Sequence, residues 1–228
     1  MLLACWSPKG GSGTTVIACG LAAVLARSSA GGALLADLAG DAAAVLGVAD
    51  PSGPGLAEWL SAGPDVGAGA LRRLEVDAGA GLRLLAWRPP APDFRPAAGR
   101  ADALVDALAA EPRPVVADCG RATSGAGLAL AAGAGISLLV LRPCYLALRR
   151  ALAAPVRPSG VVLITEPGRS LGRRDVEEVL GVPVQAEVAL DEGVARAVDA
   201  GLLARRVPRA LERALRPVVS VRAGRDAA

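Results

Sequence analysis

The sequence predicts an α/β fold: a doubly wound, mostly parallel sheet with helices on both faces. Short apolar runs alternate along the chain with stretches of helical character, which is typical of strands joined by crossover helices. Most of these runs are continuously apolar, as expected for strands buried on both faces of a parallel sheet. No internal repeat or interdomain linker interrupts the pattern. We therefore expect a single domain over residues 1–217 and a flexible tail over residues 218–228.

The individual elements follow from apolar runs bounded by glycine and proline turn signals. Strands are expected over residues 1–6, 33–38, 82–87, 114–117, 136–141, 161–165 and 182–188. Helices are expected over residues 15–27, 56–60, 101–110, 145–153, 174–180, 192–200 and 208–216. A Pro-rich segment over residues 88–96 is expected to join a strand to a helix. The uncharged residues between Arg121 and Arg142 are divided by Gly133-Ala134-Gly135, which favours a helix, a turn and a strand over a membrane span.

Composition excludes several classes of function. Apolar residues make up 53% of the 228 residues, so a disordered chain is excluded. Aromatic residues make up only 2%, which argues against a stacking platform for single-stranded nucleic acid. The chain has no histidine, and this excludes Ser-His-Asp chemistry and His-ligated metal. The formal net charge is only +3, so the protein is not basic as a whole.

Cysteine spacing and the N-terminal residues predict a cytoplasmic protein. The four cysteines, Cys5, Cys19, Cys119 and Cys144, form no C-x-x-C pair, which argues against a zinc ribbon or a thioredoxin-like redox motif. We expect them to be reduced and mostly buried. The N-terminus lacks the charged region and the long apolar region of a signal peptide.

The most informative segment is the glycine-rich loop Ser7-Pro8-Lys9-Gly10-Gly11-Ser12-Gly13-Thr14-Thr15. It follows a predicted strand and opens a predicted helix, the context that a phosphate-binding loop requires. Glycines let the backbone wrap an anion closely, and the N–H groups at a helix N-terminus supply positive potential. The alternative is a glycine-rich turn without a ligand. The residues predicted to bind phosphate are Gly10, Gly11, Ser12, Gly13, Thr14 and Thr15.

This loop resembles the deviant Walker A motif, K-G-G-x-G-K-[ST], of MinD/ParA-type ATPases, and the resemblance extends over nearly the whole chain. Residues 33–37 are similar to the family strand that ends in D-x-D, and residues 115–118 to its Walker B strand. Arg142-Pro143, residues 180–184 and residues 191–201 are similar to later family segments. The resemblance implies a P-loop NTPase fold that binds ATP or ADP with Mg²⁺. It implies a metal site at Thr15 and Asp118, and catalytic roles for Lys9 and Asp37.

Departures from the family pattern predict weak or absent hydrolysis. Thr14 replaces the second lysine of the motif, which in P-loop enzymes contacts the β- and γ-phosphates. Ala39 replaces the second aspartate of D-x-D, and Asp41 is a candidate substitute in catalysis. The asparagine that often contacts adenine is also missing, and Thr165-Glu166 occupy that neighbourhood. Degenerate loops of this kind resemble the CpaE/TadZ branch, whose members act in positioning pilus or septal machinery.

Lys9 is the only lysine in the chain. In the family that the loop resembles, this lysine reaches across a dimer interface to the partner's nucleotide. The resemblance therefore implies a homodimer that sandwiches two nucleotides. The alternative is a solvated surface lysine.

A second surface is a basic edge near the C-terminus. At about 100° per residue, the arginines of the helix predicted at residues 208–216 lie on one side and its apolar residues on the other. The alternatives are a core-docked helix with a solvated face, nonspecific DNA binding and binding to a membrane surface. The basic edge consists of Arg205, Arg206, Arg209, Arg213 and Arg216.

Three functions remain open from the sequence. The first is a nucleotide-binding positioning or assembly factor with weak or absent hydrolysis, acting at a pilus or septum site or in chromosome partitioning. The second is a pseudo-ATPase scaffold that binds only protein partners. The third is an active DNA-partitioning ATPase, against which Thr14 and Ala39 argue. The first places the protein in the cytoplasm, at the periphery of a membrane or of the nucleoid.

Overall fold

The computed structural model of this chain describes residues 1–49, 52–88, 94–123 and 125–225, with side chains up to residue 220. The Pro-rich segment predicted over residues 88–96 falls partly outside these ranges. The strands are β1 (Leu2–Trp6), β2 (Ala33–Asp37), β3 (Glu75–Gly79), β4 (Leu82–Leu85), β5 (Val115–Asp118), β6 (Ile136–Leu141), β7 (Gly160–Thr165) and β8 (Val184–Ala189). The helices are α1 (Thr14–Ser28), α2 (Ala42–Leu46), α3 (Leu56–Ser61), α4 (Gly69–Arg73), α5 (Arg100–Ala109), α6 (Gly125–Gly133), α7 (Tyr145–Leu152), α8 (Arg173–Leu180), α9 (Glu192–Asp199) and α10 (Arg209–Arg225).

The described strands form one sheet in the order β3-β4-β2-β5-β1-β6-β7-β8. All pairings are parallel except that of β3 with β4. β1 lies between β5 and β6. Strands β2 to β5 lie on one side of β1 in the sheet, and strands β6 to β8 lie on the other side. The predicted doubly wound, mostly parallel α/β fold is confirmed.

Helices cover both faces of the sheet, as the continuous apolar strands predict. In β1, Leu3 and Cys5 pack into the layer that contains α1 and α10. Leu2, Ala4 and Trp6 pack into the opposite layer, with residues of α5 and α6. Every residue of β1 is buried, because successive side chains of a strand point to opposite faces and here both faces are covered.

Short elements and the antiparallel edge were missed by sequence reasoning. Strand β3 has three partly buried residues, one exposed and one buried residue instead of an apolar run, because it lies at the edge of the sheet. Helices α2 and α4 have five residues each, too few for a helical period to show. The stretch between Arg121 and Arg142 folds largely as α6 and β6, as predicted. Within the described part of the chain, no helix has the length and apolarity needed to cross a membrane.

Helix α10 is longer than the sequence indicates. The predicted end at residue 216 is wrong, and the expected start of the tail at residue 218 falls inside the helix, which continues to Arg225. Leu211, Leu215 and Val218 form one apolar stripe at helical spacing and are at most 1% exposed. Gly20 of α1 lets this stripe approach closely: a Cβ there would lie 3.0 Å from Leu211 Cδ2. Packing of the stripe thus outweighs the helix-breaking tendency of Pro217.

Candidate functional site

The sheet brings the predicted site residues to one edge. The glycine-rich loop connects β1 to α1, and Asp37 and Asp118 end β2 and β5. Asp118 is the register partner of both Cys5 in β1 and Asp37 in β2. The loop and the two aspartates therefore meet at the carboxyl ends of three adjacent parallel strands, where ligands bind in open α/β sheets.

The loop is held in shape by its own hydrogen bonds. The hydroxyls of Ser7 and Ser12 both donate to the Lys9 carbonyl, at 2.9 and 3.1 Å. The Ser7 amide donates to the Gly120 carbonyl at 2.9 Å, which ties the loop to the segment after β5. These bonds fix the loop without using the N–H groups at the start of α1.

Glycines keep the interior of the loop open. Gly11 and Gly13 have φ angles of 75° and 82°, a backbone conformation that other residues rarely adopt. A Cβ added at Gly10, Gly11 or Gly13 would meet nothing within 4 Å. Helix α1 begins directly after Gly13, with no acidic residue in its first turn and no side-chain cap. Its first N–H groups are therefore available to an anion, and the loop fits the phosphates of a nucleotide.

Asp118 presents an oxygen without a partner. The side chain is fully buried, and Oδ1 accepts from the Gly120 amide at 3.1 Å. Oδ2 is buried and has no hydrogen-bond partner among the described residues. Burial raises the pKa of Asp118 to about 6; the Thr15 side chain opposes this rise and the charge of Asp37 adds to it. A buried oxygen of this kind calls for a cation or a bound water.

The oxygen atoms at this site fit a hard cation that is bound together with a phosphate ligand. In the described part of the chain, no group of three His, Cys, Asp or Glu side chains could hold a metal by itself. Asp118 and the neighbouring Thr15 hydroxyl are oxygen donors, and Mg²⁺ is usually bound by one or two carboxylates, water and substrate phosphates. The site therefore fits Mg²⁺ bound together with a nucleotide better than Mg²⁺ alone.

Asp37 organises the backbone after β2. Its carboxylate accepts from the amides of Ala39, Gly40 and Ala42, at 2.9, 2.8 and 3.0 Å. Burial raises the pKa of Asp37, although these amides oppose the rise. Both carboxylate oxygens are thus occupied in shaping the segment over residues 38–42.

The two positions considered for a water-positioning carboxylate lie on that segment. Ala39 is exposed and packs beside Gly120, where an added Cβ would lie 3.3 Å from the Ala39 Cβ. Asp41 is exposed, precedes α2 and makes no side-chain cap hydrogen bond. Its charge contributes to the raised pKa values of Asp37 and Asp118, so Asp41 lies in their electrostatic neighbourhood.

Two basic residues lie at the loop, one within it and one beside it. Lys9 is half-buried and makes no ion pair within the described residues. Arg142, directly after β6, lies beside the loop, and its Nη1 is 3.4 Å from the Gly11 carbonyl oxygen. Sequence reasoning noted Arg142 only as the end of a strand. Its position could have been inferred from strand pairing. Because β6 pairs in parallel with β1, the residue after β6 lies beside the loop after β1.

The basic edge includes a part, Arg205–Arg206, that lies away from this site. All five of its arginines are exposed, while α10 packs its apolar stripe on α1 and the sheet. Arg27, in the last turn of α1, donates to the carbonyls of Ala204 and Arg205. Because the loop is at the opposite end of α1, the Arg205–Arg206 part of the edge is remote from the loop. Of the alternatives considered, the core-docked helix with a solvated face agrees with this packing.

The strand order and the loop between β1 and α1 have the fold of MinD/ParA-type P-loop proteins. The chain has this fold over nearly its whole length, as comparison with solved structures shows. It is 18% identical to a ParA family ATPase from Chlorobium tepidum, over 94% of this chain and 95% of that one, with a TM-score of 0.76. It is 16% identical to the MinD cell division protein of Aquifex aeolicus, over 98% and 97%, with a TM-score of 0.77.

A third structure is the septum site-determining protein MinD of Pyrococcus horikoshii in complex with Mg-ADP. It is 16% identical to this chain, over 96% and 94%, with a TM-score of 0.77. At these identities the similarity establishes the fold. No protein-family model and no curated protein match the chain by sequence.

Proposed function

We propose that the protein binds ADP or ATP with Mg²⁺ and acts as a nucleotide-dependent positioning or assembly factor with weak or absent hydrolysis. The observation that carries the nucleotide site is the open loop after β1 at the same sheet edge as the buried, unpartnered Oδ2 of Asp118. The loop amides and the N-terminus of α1 bind the phosphates. Thr15 and Asp118 hold the metal, directly or through its water, and the metal supplies neutralising charge at the phosphates. The Mg-ADP complex of a MinD with the same fold supports this ligand.

The positioning role rests on the likeness of the chain to proteins of septum placement and partitioning. The pseudo-ATPase scaffold is the alternative. It leaves unexplained why the loop interior is open and why an unpartnered carboxylate oxygen is buried next to it. A homodimer with Lys9 at the partner's phosphates completes the proposal, because the half-buried Lys9 makes no ion pair among the described residues.

The basic edge supports either of two anionic partners, DNA or a membrane surface, within this proposed function. Both would be bound through phosphate charge, so either interaction would weaken with added salt. Glu212 pairs with Arg216 at 3.7 Å and so lowers the net charge of the edge. Titration with duplex DNA and with anionic vesicles distinguishes the two partners.

Steady-state turnover tests the hydrolytic part of the proposal. We expect the wild-type rate to stay near background with Mg-ATP, because Thr14 is uncharged, Ala39 carries no carboxylate and Asp37 is occupied by three amides. Loss of one preorganised donor to the charge that develops in a transition state reduces turnover by about 10²–10³-fold. Phosphate release from wild type, Asp37→Ala and Lys9→Ala is the measurement.

Robust turnover by wild type that either substitution abolishes would contradict this expectation. Asp41→Asn would then be the next variant, because Asp41 is the exposed carboxylate nearest in sequence to the position of Ala39. Asp106→Asn, an exposed carboxylate on α5, is the matched control.

A further inference from the structure

Within one chain, the loop of the proposed nucleotide site has no positively charged side chain of its own for the phosphates. Position 14, where the motif that the loop resembles has lysine, is a threonine with 7% exposure. Lys9, the only lysine, is assigned above to a partner's phosphates. The loop of a single chain therefore supplies backbone amides but no side-chain charge, although a bound ADP or ATP carries several negative charges.

Arg142 lies where such a charge is needed. Strand β6 pairs in parallel with β1, with Leu139 opposite Trp6, so the residue after β6 emerges beside the loop after β1. The Arg142 guanidinium donates from Nη1 to the Gly11 carbonyl at 3.4 Å. Its side chain is 34% exposed, which leaves part of the guanidinium open to a ligand at the loop.

Two further residues fix the orientation of this guanidinium. Glu166, directly after β7, accepts from Arg142 Nη2 through Oε1. The other oxygen of Glu166 accepts from Arg169 Nε at 2.7 Å. The cluster of Arg142, Glu166 and Arg169 thus holds two positive charges against one negative charge. Its net charge is positive, and the contacts named use only two of the N–H groups of Arg142.

We propose that Arg142 binds the phosphates of the nucleotide and replaces the charge that the loop lacks at Thr14. The inference rests on the proposed nucleotide binding, and it adds a binding residue from a different strand end. Glu166 and Arg169 act as positioning residues, because they hold the guanidinium toward the loop. A planar guanidinium suits this task, since it can bond a carbonyl, a carboxylate and a phosphate oxygen from one group.

The test is a four-protein cycle: wild type, Arg142→Gln, Thr14→Lys and the double variant, each titrated with Mg-ADP. Arg142→Gln is expected to weaken Mg-ADP binding by about tenfold or more, the effect of one charged hydrogen bond. Thr14→Lys is expected to restore most of this loss in the double variant, but to add less in wild type, because the two charges serve the same phosphates. Arg149→Gln, which removes an exposed charge from α7, is expected to leave the affinity unchanged. Thermal unfolding without nucleotide checks that each variant is folded.

The Thr14→Lys variant distinguishes two roles of Arg142, namely charge at the phosphates and structural support of the loop. If Arg142→Gln binds Mg-ADP as wild type does, the proposal is overturned. If it loses affinity and Thr14→Lys restores none of it, Arg142 only braces Gly11, and the proposal is again overturned. Absence of binding by wild type would overturn the proposed function as well, so the two failures are distinguishable.

Discussion

Lys9→Ala is expected to weaken ATP-dependent dimerisation by about tenfold or more, with a much smaller effect on nucleotide binding by one chain. Two facing triphosphates concentrate negative charge at an interface, and a lysine there neutralises it. Loss of a charged hydrogen bond amounts to about 1.5–3 kcal/mol, or about 10- to 150-fold in affinity. Sedimentation or light scattering with a non-hydrolysable ATP analogue is the measurement.

Two variants control for this expectation. Lys9→Arg should rescue dimerisation only partly, because a planar fork does not reproduce a compact ammonium. Arg174→Ala removes an exposed charge from α8 and should leave the monomer–dimer balance unchanged. If wild type and Lys9→Ala show the same balance with and without nucleotide, Lys9 is a surface residue without this role.

Asp118→Asn is expected to stabilise the protein without nucleotide at pH 7.5. Burial raises the pKa of Asp118 from 3.8 to about 6, so between about pH 4 and pH 6 the folded state keeps a proton that the unfolded state has lost. Stability therefore falls as pH rises through this window and stays lower above it. The shift of about two pKa units corresponds to about 3 kcal/mol, which the variant regains above pH 6.

Urea unfolding at pH 4 and pH 7.5 measures this effect. The difference between Asp118→Asn and wild type should be largest at pH 7.5 and should vanish toward pH 4. With saturating Mg-ADP the order should reverse, because only the wild type has the carboxylate that we propose holds the metal. A variant less stable than wild type at pH 7.5 without nucleotide, by an amount independent of pH, would contradict the expectation.

The candidate site could be located from the sequence where one contiguous segment carries it. Ser7–Thr15 combine strand, glycines and helix start within a single loop, so local chemistry was enough to predict a phosphate cradle. Asp118 was predictable because it ends a continuously apolar strand in the pattern of the family that the chain resembles. The doubly wound sheet could be predicted from the apolar runs along the chain, because strands buried on both faces consist almost entirely of apolar residues.

Residues joined only by tertiary structure were not predictable. Arg142 reaches the loop because β6 pairs with β1, a relation between segments more than a hundred residues apart. The role of Asp37 in binding three amides depends on how the chain turns after β2. Strand β3 lies at a sheet edge and has no apolar run. Helix α10 continues through Pro217, where Leu215 and Val218 are buried in the core that also contains α1.

Calorimetric titration of Mg-ADP into the wild-type protein, repeated in EDTA, tests most directly whether the loop and Asp118 form a nucleotide site. We expect one nucleotide per chain, with an affinity that falls when Mg²⁺ is removed and that Asp118→Asn reduces to the level seen in EDTA. The matched control Asp106→Asn should bind as wild type does. No binding at millimolar nucleotide with Mg²⁺ present would contradict the nucleotide site and favour a scaffold that binds only proteins.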